Sequence, residues 1–440
     1  MQSVMRSPFI QSVVSAFRLP DLSRKIWFTL LMLAIYRLCA HIPMPGVDRE
    51  ALSQLFQRTP LLGMLDLLSG GAMSNFSVMA MGVYPYVTAS IVMQLMIPIF
   101  PQLRELSKEG EQGRQRLNLY THVLTVPMAI LQAIGQAVLL TSTAGGPAIL
   151  TNFGFDRSEL LLPSISTILT LTAGTMLAMW FGELITRDGI GQGISIIIFG
   201  GIVAQAPQRV GQLASTNVAG LLGYLAVAVI TVVAIVVVYE GQRRIPVHYG
   251  KRVRGTRVFG GQTSHIPMRL NQAGMIPLIF AQSILILPGV IAQYFTVSQN
   301  EFIRNTAISF SGLFDSRTSN FYWLMYFLMV MGFTYMYTNI TFQQQNLPEM
   351  LQKNGGFIPG IRPGKRTEEY LMAVLSRITF VGAVFLGLVA LLPWLLRDVT
   401  ESSVMVITST GLLIVVGVVL DTMKQLEAQL LMRQYEGFIK

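Results

Sequence analysis

Histidine, cysteine and carboxylate side chains carry much of protein chemistry, and here they are sparse where chemistry would need them together. His41, His122, His248 and His265 show none of the short spacings that set two metal ligands on one face. Cys39 is the single cysteine, so neither an internal disulfide nor a cysteine-rich zinc site can form. There is no GxxxxGK[ST] loop to cradle ATP phosphates, and no GxSxG elbow or HExxH pair to support hydrolysis. The chain is therefore not expected to be an enzyme and no cofactor is expected. Any ATP-driven work must come from a separate motor.

The regular spacing that does occur is apolar. Val87 and Ile91, and again Ile194 and Ile198, stand four residues apart and share one face of a helix. Alone, such aliphatic pairs ordinarily meet lipid or a neighbouring helix. Acidic groups within apolar stretches are few: Glu183 near a cytosolic end, and Asp66 in a short apolar segment. Ion-coupled carriers generally need buried ionisable groups near the membrane midplane. Arg37 lies near the outer end of the first apolar window, where its long side chain is expected to reach the interface, a structural ion pair being the second reading.

The elements that must position these residues are membrane helices. Of 440 residues, 52% are hydrophobic and 12% charged, against about 25% charged in a soluble domain. Disorder is excluded. The net charge of +10 avoids long stretches such as 221–238, which argues for a membrane protein before a nucleic-acid binder. A hydrocarbon slab of about 30 Å takes about 20 helical residues. Ten windows approach that length, with cores at 26–42, 76–100, 120–140, 165–185, 194–206, 218–239, 273–295, 321–341, 378–396 and 404–420. The fifth is short.

Ten crossings put both termini on one side. That face holds 24 of the 32 lysines and arginines, the other face 7, and Arg37 lies within a span. Termini and large basic loops are accordingly expected in the cytosol. The first residues do not read as a cleaved signal, and Phe9, Val13, Val14 and Phe17 suggest an amphipathic helix in the cytosolic interface. The expected divisions are a cytosolic amphipathic segment 1–25, a first half 26–206, a second half 207–420 with cytosolic loops 241–272 and 342–377, and a cytosolic tail 421–440.

The pattern breaks at residues 61–68, apolar but too short to cross, followed by Ser69, Gly70 and Gly71. This reads as a re-entrant half-helix, tolerated at membrane depth only under cover of protein or water, or as a surface helix on the outer leaflet. GIGQGIS (189–195) and NQAGMIP (271–277) also open spans with polar or glycine-rich residues, as in pathways built at a repeat interface. Five spans per half would force an inverted arrangement. On pattern alone, an inverted-repeat secondary transporter of a small solute is an alternative reading, and an enzyme acting on lipids a distant third.

HIPMPGVD (41–48), the segment 61–95, KEGEQGRQR (108–116), GIGQGIS, GQRRIPVHYGKRVRG (241–255), NQAGMIP and PGIRPG (359–364) follow one another in the order seen in SecY. The chain resembles, over nearly its whole length, this family of channel subunits of the bacterial protein translocase. The resemblance implies an all-α polytopic membrane protein of ten transmembrane helices in two inverted five-helix halves around an hourglass pore. It implies a plug on the outer side at residues 61–75, with Leu61, Leu65, Asp66, Leu68, Ser69, Gly70 and Gly71. The pore ring would be Val87, Ile91, Ile194, Ile198, Ile279 and Ile414, with Val87 where isoleucine is common. A narrow apolar neck dewets and seals against ions while flexing around a peptide.

By the same resemblance, spans two and three against seven and eight form a lateral gate, with Thr88, Gln94 and Asn271 in its walls. Lys251, Arg252, Arg254, Arg257, Arg362, Lys365 and Arg366 would dock the ribosome or the motor ATPase SecA, where positive charge suits RNA phosphates. The implied function is passage of unfolded secretory chains across the bacterial cytoplasmic membrane and lateral release of membrane segments into lipid. The implied partners are SecE-type and SecG subunits, SecA, the ribosome, signal sequences, unfolded polypeptides and membrane lipid.

Overall fold

Where water is excluded, backbone N–H and C=O groups must pair within the chain, so long apolar runs fold as helices. The structure is a computed structural model in which residues 19–48, 50–52, 66, 69–141, 150, 153–154, 158–216, 218–249, 252–254, 257–259, 263–295, 300–314, 319–400 and 409–439 are described. The predicted N-terminal amphipathic helix, Leu61, Leu65, Leu68 and Lys251 lie outside these residues.

Each predicted window holds a helix. In chain order these are α1 (Pro20–Ala40), α2 (Tyr84–Ile99), the short α3 (Pro101–Lys108), α4 (Glu111–Thr141), α5 (Ser158–Asp188), α6 (Gly193–Thr216) and α7 (Val218–Glu240). After a small sheet come α8 (Ile276–Phe295), α9 (Glu301–Leu313), α10 (Asn320–Gln345), α11 (Leu347–Lys353), α12 (Lys365–Thr400) and α13 (Ser409–Ile439). Among the described residues, four helices are long and apolar enough to cross a membrane, or five if the bent pair α2–α3 counts as one. Ten crossings are therefore the reading of the apolar windows in the sequence, of which helix length and apolarity in the structure account for four or five.

The second span begins at Tyr84, eight residues later than the apolar window at 76. Residues 69–83 are instead a chain of turns, in which Gly70, Gly71, Gly82 and Phe76 all take positive φ. The helix starts where Pro85 fits its first turn. It stops at Phe100, held extended before Pro101, and α3 leaves at 104°. The short fifth window becomes the full-length α6, which continues through Pro207 to Thr216.

The predicted cytosolic loop 241–272 carries strands that helical periodicity did not announce. β1 (Gln242–Tyr249) pairs antiparallel with β4 (Thr263–Arg269), placing Gln242 opposite Arg269 and His248 opposite Thr263. β5 (Gly356–Phe357) adds to the other edge of β1, and β2 (Arg252–Arg254) with β3 (Arg257–Phe259) forms a separate hairpin. Ile245, Val247 and Met268 bury one face of the sheet against Phe342, Leu371 and Leu375. This small core is distinct from the large one shared by α1, α2, α4–α8, α10, α12 and α13.

Candidate functional site

The turns at 69–83 are irregular backbone held inside the helix bundle, with Ala72, Phe76, Met79, Ala80 and Val83 wholly buried. Irregular backbone there must find partners for its polar groups, and most come from its own side chains. Asp66 accepts from Ser74 N at 2.8 Å and its carbonyl from Gly71 N at 2.8 Å. Ser69 Oγ donates to Asp66 O and accepts from Met73 N.

Two flanking helices complete the set. From α1, the Tyr36 hydroxyl donates to Ser69 O at 3.0 Å and Arg37 Nη1 donates to Gly70 O. From α6, Gln205 Nε2 donates to the other Asp66 carboxylate oxygen at 3.1 Å. Arg37 therefore does not snorkel to the interface as its position suggested: a buried carbonyl 33 residues away takes its guanidinium.

Glycine makes this approach possible. A Cβ on Gly201 of α6 would lie 2.2 Å from Gly70 Cα, and one on Gly82 would lie 2.8 Å from Ser69 Cα. The HIPMPGVD segment supplies backbone partners as well. Met44 N donates to Phe76 O, and Val78 N to Ile42 O, both at 3.1 Å. The loop after α1 thus backs the turns from behind. Of the predicted plug, Asp66, Ser69, Gly70 and Gly71 are at this junction.

Five of the six predicted ring residues fall in the large core: Ile198, Ile279 and Ile414 as buried members, Val87 and Ile194 packed against it. Ile91 is likewise buried, at 2% exposure. They come from α2, α6, α8 and α13, two helices from each side of residue 217.

The predicted gate residues do not meet one another. Thr88 accepts from Gln132 Nε2 of α4 at 2.9 Å, a bond within the first half. Gln94 Nε2 donates to Ser90 Oγ on its own helix, at 3.4 Å. Asn271 precedes α8 and donates to Gly274 O at 3.0 Å, fixing the turn that admits α8. A polar contact from α2 to α8 was missed: the Tyr84 hydroxyl donates to Ser283 O at 3.4 Å. Nothing in the sequence pairs two residues 199 positions apart. Gln94, Gln132, Gln136 and Ser283 each keep a buried side-chain oxygen without a partner.

Arg254 stands opposite Arg257 at the end of the β2–β3 hairpin, with Arg252 two residues along the strand. Arg362, Lys365 and Arg366 lie at the surface. Arg362 sits on a turn made by Gly360 and Gly364, both with positive φ, and pinned by Thr367 Oγ1 donating to Arg362 O at 3.0 Å, while Lys365 and Arg366 open α12. No group of three or more metal-ligating side chains occurs among the described residues.

Many packed apolar helices, with a buried stretch of turns clasped between them, define a helical polytopic membrane protein. Residues 77–423 match the SecY family, and the chain belongs to it. Relatives named protein translocase subunit SecY include that of Halalkalibacterium halodurans, 42% identical over 98% of this chain and 100% of its own. That of Thermotoga maritima is 40% identical over 98% of both. Among solved structures, one described as a protein conducting channel superposes with a TM-score of 0.60 at 16% identity, covering 92% of each chain. Another, on the SecY plug domain and the closed state of the translocation channel, does so equally well. At that identity the likeness concerns the fold. Family membership sets aside the solute-carrier reading.

Proposed function

We propose that this chain is the channel subunit of a bacterial protein translocase, conducting unfolded polypeptides across the cytoplasmic membrane and releasing apolar segments sideways into lipid. The observation that carries this reading is the buried stretch of turns at 69–83. It is bonded through polar groups and packed by glycine against α1 and α6, an arrangement suited to a stopper that can leave and return. Val87, Ile91, Ile194, Ile198, Ile279 and Ile414 form the seal, and α2 and α4 against α8 and α10 form the lateral gate. Aliphatic groups in the seal offer ions no coordination, so a narrow neck excludes them until a chain fills it.

The chain works passively, with energy from SecA or the ribosome docked on Lys251, Arg252, Arg254 and Arg257 and on Arg362, Lys365 and Arg366. SecE-type and SecG subunits complete the assembly, and both termini face the cytosol. Relatives described as translocase subunits and a structurally similar Sec61 in a canine ribosome–channel complex support this assignment. The test is crosslinking from a stalled secretory chain to single cysteines at Ile91, Ile198 and Ile414, with Cys39 replaced by serine. Adducts are expected at all three positions; a stalled chain that reaches none of them would overturn the conduit.

A further inference from the structure

On the cytosolic side of the proposed seal, a cavity of about 460 Å³ opens between α2, α4, α5 and the start of α6. Its lining includes Tyr86, His122, Trp180, Glu183, Arg187 and Ile194. Glu183 is an acidic residue within an apolar span, and its side chain is 45% exposed. His122 Nε2 donates to one of its oxygens at 2.9 Å, which ties α4 to α5.

Arg187 does not neutralise this carboxylate, because its guanidinium is engaged by Asp188, Nη2 to Oδ2 at 2.8 Å and Nε to Oδ2 at 3.1 Å. The neighbouring walls are aromatic. The Tyr86 ring lies 5.8 Å from that of His122, and Trp180 is 53% exposed. An accessible carboxylate beside aromatic faces in a concave site is the chemistry that takes an ammonium or guanidinium group. Ile194, one of the proposed seal residues, lines the same cavity, so a cation held there waits at the entrance to the neck.

We infer that the His122–Glu183 cavity is a subsite for a lysine or arginine side chain of the incoming polypeptide. It holds the basic flank of a signal segment on the cytosolic side while the following residues enter the neck. This rests on the channel reading above and adds a residue that determines which chains engage.

The experiment uses the complete translocase in proteoliposomes and two secretory reporters that differ only before the signal core, one with two lysines and one with two glutamines. The wild-type channel is expected to favour the lysine reporter roughly two- to fivefold in initial rate, the scale of a partly solvated ion pair. Glu183→Gln should bring the two rates together while leaving the glutamine reporter unchanged. His122→Arg provides a second arm: it keeps α4 tied to α5 but occupies the carboxylate with a fixed cation, and should abolish the preference in the same way. Wild-type preference that survives both substitutions, or a wild type indifferent to the flank, overturns the subsite and leaves the channel standing. Failure of wild type to move either reporter overturns the channel reading itself.

Discussion

Gly201 and Gly70 touch through their backbones, and an added methyl at either has nowhere to go. In Gly201→Ala the new Cβ would sit 2.2 Å from Gly70 Cα, so the turn must retreat from α6. Overpacking of this kind costs about 1–3 kcal/mol. The expected result is a resting ion leak about tenfold above wild type, measured as halide flux from proteoliposomes without substrate. An unchanged leak would mean that the contact does not hold the stopper. At this scale the sequence was partly legible. Ser69, Gly70 and Gly71 marked a break because small, flexible residues interrupt an apolar run. The meaning of Arg37 was hidden, since its acceptor is a backbone carbonyl in a distant turn. Gln205 gave no signal because polar residues at a helix flank are common.

Among the elements, spans follow from apolar length, and ten windows each hold a helix. The window at 76 misled because apolar composition is equally compatible with buried turns; Gly82 and a left-handed Phe76 decide the backbone. Helical periodicity was also the wrong ruler for residues 242–249. There Ile245 and Val247 alternate with exposed neighbours, the period of a strand with one buried face. Val247→Asp would place an unpaired charge in the small core under that sheet, costing about 3–5 kcal/mol. The expected outcome is a chain that still inserts in the membrane, with its 241–272 region cut readily by protease added to the cytosolic face and binding of the SecA motor lost. Protease resistance equal to wild type would count against the sheet as a folded unit.

At the level of the whole molecule, helices from both sides of residue 217 pack into one large apolar core. Tyr84 to Ser283 is a hydrogen bond within it, from α2 to α8, and such bonds between membrane helices average about 0.6 kcal/mol. Tyr84→Phe removes the donor and keeps the ring. It should ease opening about threefold, measured as export of reporters with weakened signal cores; no gain in their export would sever this contact from the gate. A helical polytopic membrane protein was foreseeable from the apolar windows, whereas the bond from α2 to α8 was not.

The longest helix has a mechanical consequence. α12 has 36 residues and, at 1.5 Å per residue, reaches about 54 Å. Leu371, Leu375 and Ile378 near its start are set in the small core under the sheet, while Leu386, Val389 and Ala390 further along are set in the large core. One rigid rod is thus embedded in both bodies, with Gly387 lying flat against the Phe327 ring of α10. A force on the sheet therefore has a continuous helical connection to the large core, with no loop between the two.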